Sequence, residues 1–391
     1  MKNIEKRSLD RLGTKPKVLT LVLIDSNAII HRAYHALPKT MRTRKGEYTN
    51  AVYGFVTTFI KVLEDLKPDY IAASFDISKA TFRLAEYAEY KAHRVAADQE
   101  LYDQIPRVKE FLETVGVPIY VQEGFEADDV IGTIAAKLQI TNNKYQINSK
   151  DQIPNKEDFK VFIVTGDKDA FQLIDGNIFV YNLKHGLQSA QIVDRAVIKE
   201  EWGLDPEDFI DLKALAGDPS DNIPGVPGIG PKTAIDLLQR FDTLEKLYEK
   251  IAEISNAQYS TTNQVSNSKS QVLDVEKMNG GCNLEVEDLP SILIKIEKEM
   301  NIRQRIAKLL FEYKDQAFLS QRLATIRRDV PVDFKLKDCE WGDYDKGKLI
   351  EFFKEVQFTS LLKRFGVIPA DEPKTKEAKA QKEKDDQLKL L

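Results

Sequence analysis

The sequence predicts an α/β fold: a parallel sheet with helices on both faces. Three observations carry this. Residues 18–24, 70–75 and 159–164 are short apolar runs rich in β-branched and aromatic residues, the pattern of strands buried on both faces. Segments with helical apolar spacing lie between them, and such alternation produces parallel strands joined by helical crossovers. Each run also ends in an acid, Asp25, Asp76 or Asp167. In open parallel sheets the ligand crevice lies outside the carboxyl ends of the strands, so three strand ends would deliver carboxylates to one place.

Taken in order, residues 1–17 are polar and basic, without the apolar segment of a signal peptide, and are expected to be a flexible extension. After the first strand comes a basic stretch, Lys39 to Glu47, where Arg42, Arg44 and Lys45 are candidates for phosphate contact. Residues 49–66 carry Val52, Phe55, Phe59, Ile60 and Leu63 at helical spacing, and Lys67-Pro68 stops the helix. Residues 79–95 interleave Lys79, Arg83, Lys91 and Arg94 with Phe82, Tyr87 and Tyr90, which suits a surface that tracks a nucleic-acid backbone. A solvated amphipathic helix has the same composition. Residues 98–115 read as one helix, followed by a short strand at Val117–Val121.

Gly124-Phe-Glu126-Ala-Asp128-Asp129-Val130 then places three carboxylates just before Val130, Ile131, Ile134 and Ala135. That spacing puts the acids at a turn entering a helix, where negative charge is also favoured by the helix dipole. Residues 139–158 are polar and read as a surface insertion. Asp167 and Asp169 follow the third strand, and residues 178–181 form a further strand. Residues 205–217 read as a helix with Asp205 as cap and Pro206 as its first residue.

Behind that helix stand Asp218 and Asp221, and then Gly225-Val226-Pro-Gly228-Ile-Gly230-Pro-Lys232-Thr233. This is the pattern of a helix–hairpin–helix turn. Glycines allow positive φ and close approach of the backbone, and a helix beginning at Pro231 points free amides at an anion. Residues 255–271 contain 13 Ser, Thr, Asn or Gln out of 17, and the 21 residues 371–391 carry six acids and six bases with no core pattern. Both are expected to be disordered. A helix spans Ile302–Phe318.

Composition narrows the class. With 42% hydrophobic and 30% charged residues, the chain is neither a disordered nor a membrane-spanning sequence. The net charge of −5 does not advertise a nucleic-acid partner, but nine clustered acids would mask a local basic surface in that sum. Cys282 and Cys339 have neither metal-ligand spacing nor a disulfide framework, which fits a reducing, cytosolic setting. Nine carboxylates in one crevice would repel one another strongly unless cations lay between them.

With the acids and the glycine-rich turn in place, the chain resembles the flap-endonuclease family, in the form of the 5′-nuclease domain of bacterial DNA polymerase I. The resemblance rests on Leu-Ile-Asp25, Ser-Phe-Asp76, Glu126-Ala-Asp128-Asp129, Thr-Gly-Asp167-Lys-Asp169, Asp218-Pro-Ser-Asp221-Asn-Ile-Pro-Gly and Gly-Val-Pro-Gly-Ile-Gly-Pro-Lys-Thr-Ala. It covers roughly residues 18–250 and resumes near 301–365.

The resemblance implies a three-layer, PIN-like nuclease core at 18–200 with a helical arch near 79–95. It further implies a helix–hairpin–helix subdomain at 201–253, an insertion at 254–300, a helical part at 301–370 and a tail at 371–391. It implies a 5′→3′ exonuclease and 5′-flap endonuclease using two Mg²⁺ or Mn²⁺ ions, acting in primer removal and DNA repair. Asp25, Asp76, Glu126 and Asp128 would hold one ion. Asp128 or Asp129, with Asp167, Asp169, Asp218 and Asp221, would hold the other, and the division between them stays open. Arg83, Lys91 and Arg94 would act on the scissile phosphate, and Tyr34 would stack on a base. A K⁺ ion would sit at the hairpin. The partners would be DNA with a 5′ flap, nick or 5′ end and RNA primer–DNA hybrids, met by a monomer in the cytoplasm at the nucleoid. The resemblance also implies that a full polymerase would continue into further domains.

Phosphatase-like, kinase-like and receiver α/β domains also gather acids at strand ends, but they give no reason for the hairpin or for Asp218 and Asp221. An inactive DNA clamp would be expected to lack one or more of the acids, and none is missing. RNA-directed PIN-like nucleases are usually shorter and lack the hairpin.

Overall fold

The structure is a computed structural model, described here for residues 18–77, 80–94, 97–139, 159–185, 189–262 and 289–367. The N-terminal extension, Lys79, most of the 139–158 insertion, Cys282, the heart of the 254–300 segment and the C-terminal tail lie outside the described residues.

Six strands form one sheet: β1 (Leu19–Asp25), β2 (Tyr70–Ser74), β3 (Ile119–Tyr120), β4 (Phe159–Thr165), β5 (Ile178–His185) and β6 (Ser189–Val193). Their order is β3-β2-β1-β4-β5-β6. Every pairing is parallel except β5–β6, where the edge strand β6 returns antiparallel. The sequence reading did not anticipate β6. Its apolar residues are few and its outer edge needs no buried run. From β1 the chain steps to β2 on one side and later returns to β4 on the other. The strand order therefore switches between β1 and β4, where an open sheet forms its crevice.

Alternation along the strands sorts the core into two. Leu21, Leu23, Val161 and Ile163 belong to one buried cluster, and Val22, Ile24, Phe162 and Val164 to the other. The second cluster is covered by α1 (Ser26–Ala36), α2 (Asn50–Leu66), α4 (Gln99–Tyr102), α5 (Ile105–Thr114), α14 (Lys346–Glu355) and α15 (Thr359–Arg364). The helical arch expected near 79–95 is, among the described residues, only the short helix α3 (Phe82–Glu86) followed by turns. The first cluster is covered by α6 (Ala127–Gln139), α7 (Arg195–Trp202), α8 (Asp208–Ala216), α9 (Pro231–Phe241), α10 (Leu244–Thr262), α11 (Leu289–Met300), α12 (Gln304–Glu312) and α13 (Lys314–Ala324). The result is the expected three layers.

The segment 98–115 is two helices, α4 and α5, with Asp103 and Gln104 as a turn between them, and the Gln104 side chain caps the start of α2. It accepts from Ala51 N at 2.8 Å and donates to Asn50 Oδ1 at 3.0 Å. The helix expected from Pro206 begins instead at Asp208. Asp205 N donates to Asp208 Oδ2 at 2.7 Å, which holds residues 205–207 as a turn. The helix expected over 302–318 breaks at Tyr313 into α12 and α13. The two ends of the 254–300 segment are helical, in α10 and α11.

Candidate metal centre and nucleic-acid surface

Asp25 closes β1 and caps α1 at once. One carboxylate oxygen accepts from Ala28 N at 3.1 Å and the other from the Thr165 hydroxyl at 2.8 Å, which ties the ends of β1 and β4 together. Two residues past β2, Asp76 accepts from Asn27 Nδ2 at 2.8 Å and from Ala127 N, at the start of α6, at 2.7 Å. Asp167 caps the 3₁₀ turn Lys168–Leu173 through Asp169 N. Asp25, Asp76, Glu126, Asp128, Asp167 and Asp169 thus line one cleft of ≈ 330 Å³, together with His31, Lys91 and Arg94. Beside it, Asp169, Asp218 and Asp221 bring carboxylate oxygens within 4.8 Å of one another.

The electrostatics are those of carboxylates crowded without enough countercharge. Burial, followed by the Asp76 and Asp167 charges, pushes the Asp25 pKa up to about 7. Burial and the Asp167 charge do the same to Asp169. Asp128 is raised well above the carboxylate range, by burial and by Asp129 and Glu126, against the pull of Arg83. Asp218 goes the other way: burial opposes ionisation, but Lys213 and the Ser220 hydrogen bonds outweigh it.

The ninth acid is placed differently. Asp129 is fully buried and its four acceptor positions are filled. Oδ2 accepts from Arg83 Nη1 at 2.8 Å and Glu126 N at 3.1 Å, and Oδ1 from Arg83 Nη2 and Arg327 N, each at 2.8 Å. Asp128 and Asp129 are consecutive in the first turn of α6, so the helix turns one toward the cleft and the other inward. Protein donors meet both Asp129 oxygens, and of the nine acids expected as ligands it is the one turned away from the cleft.

Arg83 is correspondingly not a free arch residue. It is 2% exposed. Besides Asp129 it donates to Glu126 and to the carbonyls of Leu323 and Thr325, fastening α3 and α6 to the end of α13. The basic residues of this segment that do face the acids are Lys91, 2.8 Å from Glu126 Oε1, and Arg94, 2.5 Å from Asp221 Oδ1. The Tyr90 hydroxyl, between the two clusters, lies 3.1 Å from a carboxylate oxygen of both Glu126 and Asp221 and shares its one proton between them.

Lys213 is a site residue the sequence reading missed. From α8 its ammonium bridges Asp169 and Asp218. A lone lysine inside the apolar stretch Phe209–Leu215 was the available signal. Tyr34, expected to stack on a base, is 1% exposed in the core, with its hydroxyl on Asp98. It offers no face to a ligand. Arg42 stacks on Tyr48, while Arg44 and Lys45 are exposed.

The hairpin residues also divide. Gly225 has φ +60°, and a Cβ there would lie 2.1 Å from Gly217 N, so only glycine fits. Its amide is bonded to Ser320 and its carbonyl to Gln316, while Val226 is buried and donates to Leu215 O. These two residues hold the turn. Gly228, Gly230 and Lys232 are exposed, Thr233 partly so, and the Lys232 and Thr233 amides lie in the first turn of α9, where no intrahelical acceptor reaches them.

Comparisons with known proteins agree with this architecture. The family described as 5′-3′ exonuclease, N-terminal resolvase-like domain, matches residues 20–203, and the 5′-3′ exonuclease, C-terminal SAM fold, matches residues 204–280. DNA polymerase I of Bacillus subtilis is 35% identical over 88% of this chain, which covers 32% of its length. DNA polymerase I of Mycobacterium tuberculosis is 39% identical over 59% of this chain and 24% of its own length. The chain therefore spans about a third or less of these relatives. Among solved structures, T5 5′-exonuclease with bound divalent metal ions (zinc) superposes with a TM-score of 0.52 at 18% identity, over 87% of this chain and 98% of that one. The catalytic core of Rad2 in complex with DNA substrate superposes with a TM-score of 0.50 at 17% identity, over 90% and 94%. These likenesses show the fold. No helix among the described residues is long and apolar enough to cross a membrane. With both family descriptions matched in sequence, together over residues 20–280, the chain belongs to the 5′-3′ exonuclease family.

Proposed function

We propose that this member of the family is a 5′→3′ exonuclease and 5′-flap endonuclease that hydrolyses DNA phosphodiester bonds with two divalent ions, Mg²⁺ or Mn²⁺. The observation that carries the reading is the convergence of eight carboxylates on two adjoining clusters, with Lys91 and Arg94 beside them. An all-oxygen donor set suits Mg²⁺ or Mn²⁺ rather than zinc. Asp25, Asp76, Glu126 and Asp128 would hold one ion and Asp167, Asp169, Asp218 and Asp221 the other. Asp129 acts as the buried anchor of Arg83. When bound, such ions neutralise the attacking and leaving oxygens of an in-line displacement and supply hydroxide near neutral pH.

The protein's own groups do the rest. Thr165 and Asn27 fix the Asp25 and Asp76 carboxylates, so the cluster need not reorganise when charge develops. Lys91 and Arg94 stabilise negative charge on the reacting phosphate and exchange their carboxylate partners for it. Lys213 shares the Asp169 and Asp218 oxygens with any ion there and limits the repulsion between them. The exposed hairpin amides and Lys232 hold the duplex arm by its phosphates, without reading sequence. The K⁺ at the hairpin belongs to this proposal, and replacing K⁺ by Li⁺ should weaken duplex binding.

A labelled 5′-flap duplex tests the reading. Short 5′ products that appear with Mg²⁺ and vanish with chelator support it. Equal cutting in chelator, or none with any divalent ion, overturns it. Nicked duplexes, recessed 5′ ends and RNA primer–DNA hybrids compared in the same assay test the range of substrates. The primer-removal role, the nucleoid setting and the monomeric state rest on the same reading.

A further inference from the structure

We infer that α12 forms a second phosphate-binding arm, which extends the duplex contact beyond the hairpin. This rests on the reading of the hairpin as a duplex-binding element. Arg303, Arg305 and Lys308 are exposed, and no ion pair engages any of them among the described residues. Lys232 on α9 is in the same state. The neighbouring Arg240 is by contrast occupied, by Asp236 at 3.2 Å and by the Met300 carbonyl.

Two of these cations share a groove, and a third lies beside the hairpin. Lys232 and Arg303 line the same groove of ≈ 530 Å³ between α9 and the α11–α12 junction. Its one acid, Asp236, is the partner of Arg240. Gly228 of the hairpin packs directly on α12: a Cβ there would meet Leu309 Cδ1 at 3.1 Å and Arg305 Nη2 at 3.9 Å. The Arg305 guanidinium therefore lies beside the hairpin that presents the free amides. Three positions on, Lys308 falls on the same helical face, ~4.5 Å further along the axis.

Holding such cations together is unfavourable unless a polyanion lies across them. A duplex strand presents such a row of negative charge, one phosphate per nucleotide. The occupant is duplex DNA, held by its backbone and without sequence preference. The buried side of α12, Ile306, Ala307 and Leu310, is already packed in the core, so the helix is a rigid support for these charges.

The test is the salt dependence of binding to a blunt duplex without a flap, measured in Ca²⁺ for the full chain and for Arg305→Ala/Lys308→Ala. Each lost phosphate contact lowers the slope of log K against log salt by ~0.9, so the double variant should lose ~1.8 and bind more weakly at every salt concentration. Lys348→Ala/Lys354→Ala on the remote helix α14 controls for net charge and should leave the slope unchanged. Melting curves check that each variant is folded. A wild-type slope in the α12 variant, or an equal loss in the α14 control, overturns the inference. Flap cleavage separates the two readings. Wild-type protein that cuts flaps while the α12 variant keeps its slope sinks the arm alone. Protein that binds duplex with the expected slope change but never cuts sinks the nuclease reading alone.

Discussion

Arg83 and Asp129 make the sharpest test of how this site is built. Both side chains are buried, at 2% and 0% exposure, and two parallel bonds of 2.8 Å join them. Removing one partner strands a charge in the interior, which costs about 3–5 kcal/mol, whereas replacing both by apolar groups of similar volume is often neutral. Asp129→Ala and Arg83→Ala should each lower stability in urea by ~3–5 kcal/mol without metal. Arg83→Met/Asp129→Leu should recover most of that loss, although Glu126 and the Leu323 and Thr325 carbonyls lose a donor as well. The decisive comparison adds Mg²⁺. An ion bound only by the folded state stabilises it by mass action. If Asp129 is an anchor and not a ligand, Asp129→Asn retains the full Mg²⁺-induced increment on its lowered baseline. Disappearance of the increment, with metal-free stability unchanged, would show Asp129 in the ion's coordination sphere and refute the division drawn here between it and Asp128.

The other expectations follow from the same geometry. Asp128→Asn should raise the stability of the metal-free protein by relieving repulsion among crowded acids, yet shrink the Mg²⁺ increment and abolish flap cleavage; melting curves with and without ion check both signs. Asp25 and Asp169 titrate near 7 in the fold, far above an unfolded carboxylate. The native state therefore binds more protons than the unfolded one between these values, and their contribution makes the metal-free protein lose stability as pH rises from about 4 to 7. Because an ion must displace those protons, the Mg²⁺ increment should grow over the same interval, and urea midpoints from pH 5 to 8 read both trends. Lys91→Ala should lower single-turnover cleavage by ~10²–10³ while flap binding in Ca²⁺ changes little; normal cleavage with poor binding would contradict its role at the reacting phosphate. Gly228→Val, at φ +85° against Leu309, should weaken binding to all duplex sequences alike in a fluorescence titration.

Much of this protein could be read along the chain because the responsible physics is local. Buried parallel strands need continuous apolar runs, so β1, β2 and β4 announced themselves and carried Asp25, Asp76 and Asp167 at their ends. The hairpin was legible because Gly225 and Gly228 stand where a backbone at positive φ tolerates little else. The edge strand β6 escaped because an antiparallel edge demands no such run, and the break at Tyr313 because apolar spacing continues across it.

What tertiary structure alone decided is which charge faces which. Asp128 and Asp129 are neighbours of one chemical type, and only the packing of α6 on the sheet turns one into the cleft and the other onto Arg83. Arg83 reaches partners 46 and 242 positions away, Lys213 spans 44 positions to Asp169, and Tyr34 is withdrawn from any ligand by a core assembled from distant segments. Periodicity records whether a side chain is apolar and which side of its own helix or strand it takes. It carries no record of the partner waiting there, because that partner is brought by chain closure over tens to hundreds of residues. The identities of the acids were therefore written in the sequence, and which of them line the cleft and which lies buried against Arg83 was decided only when the layers packed.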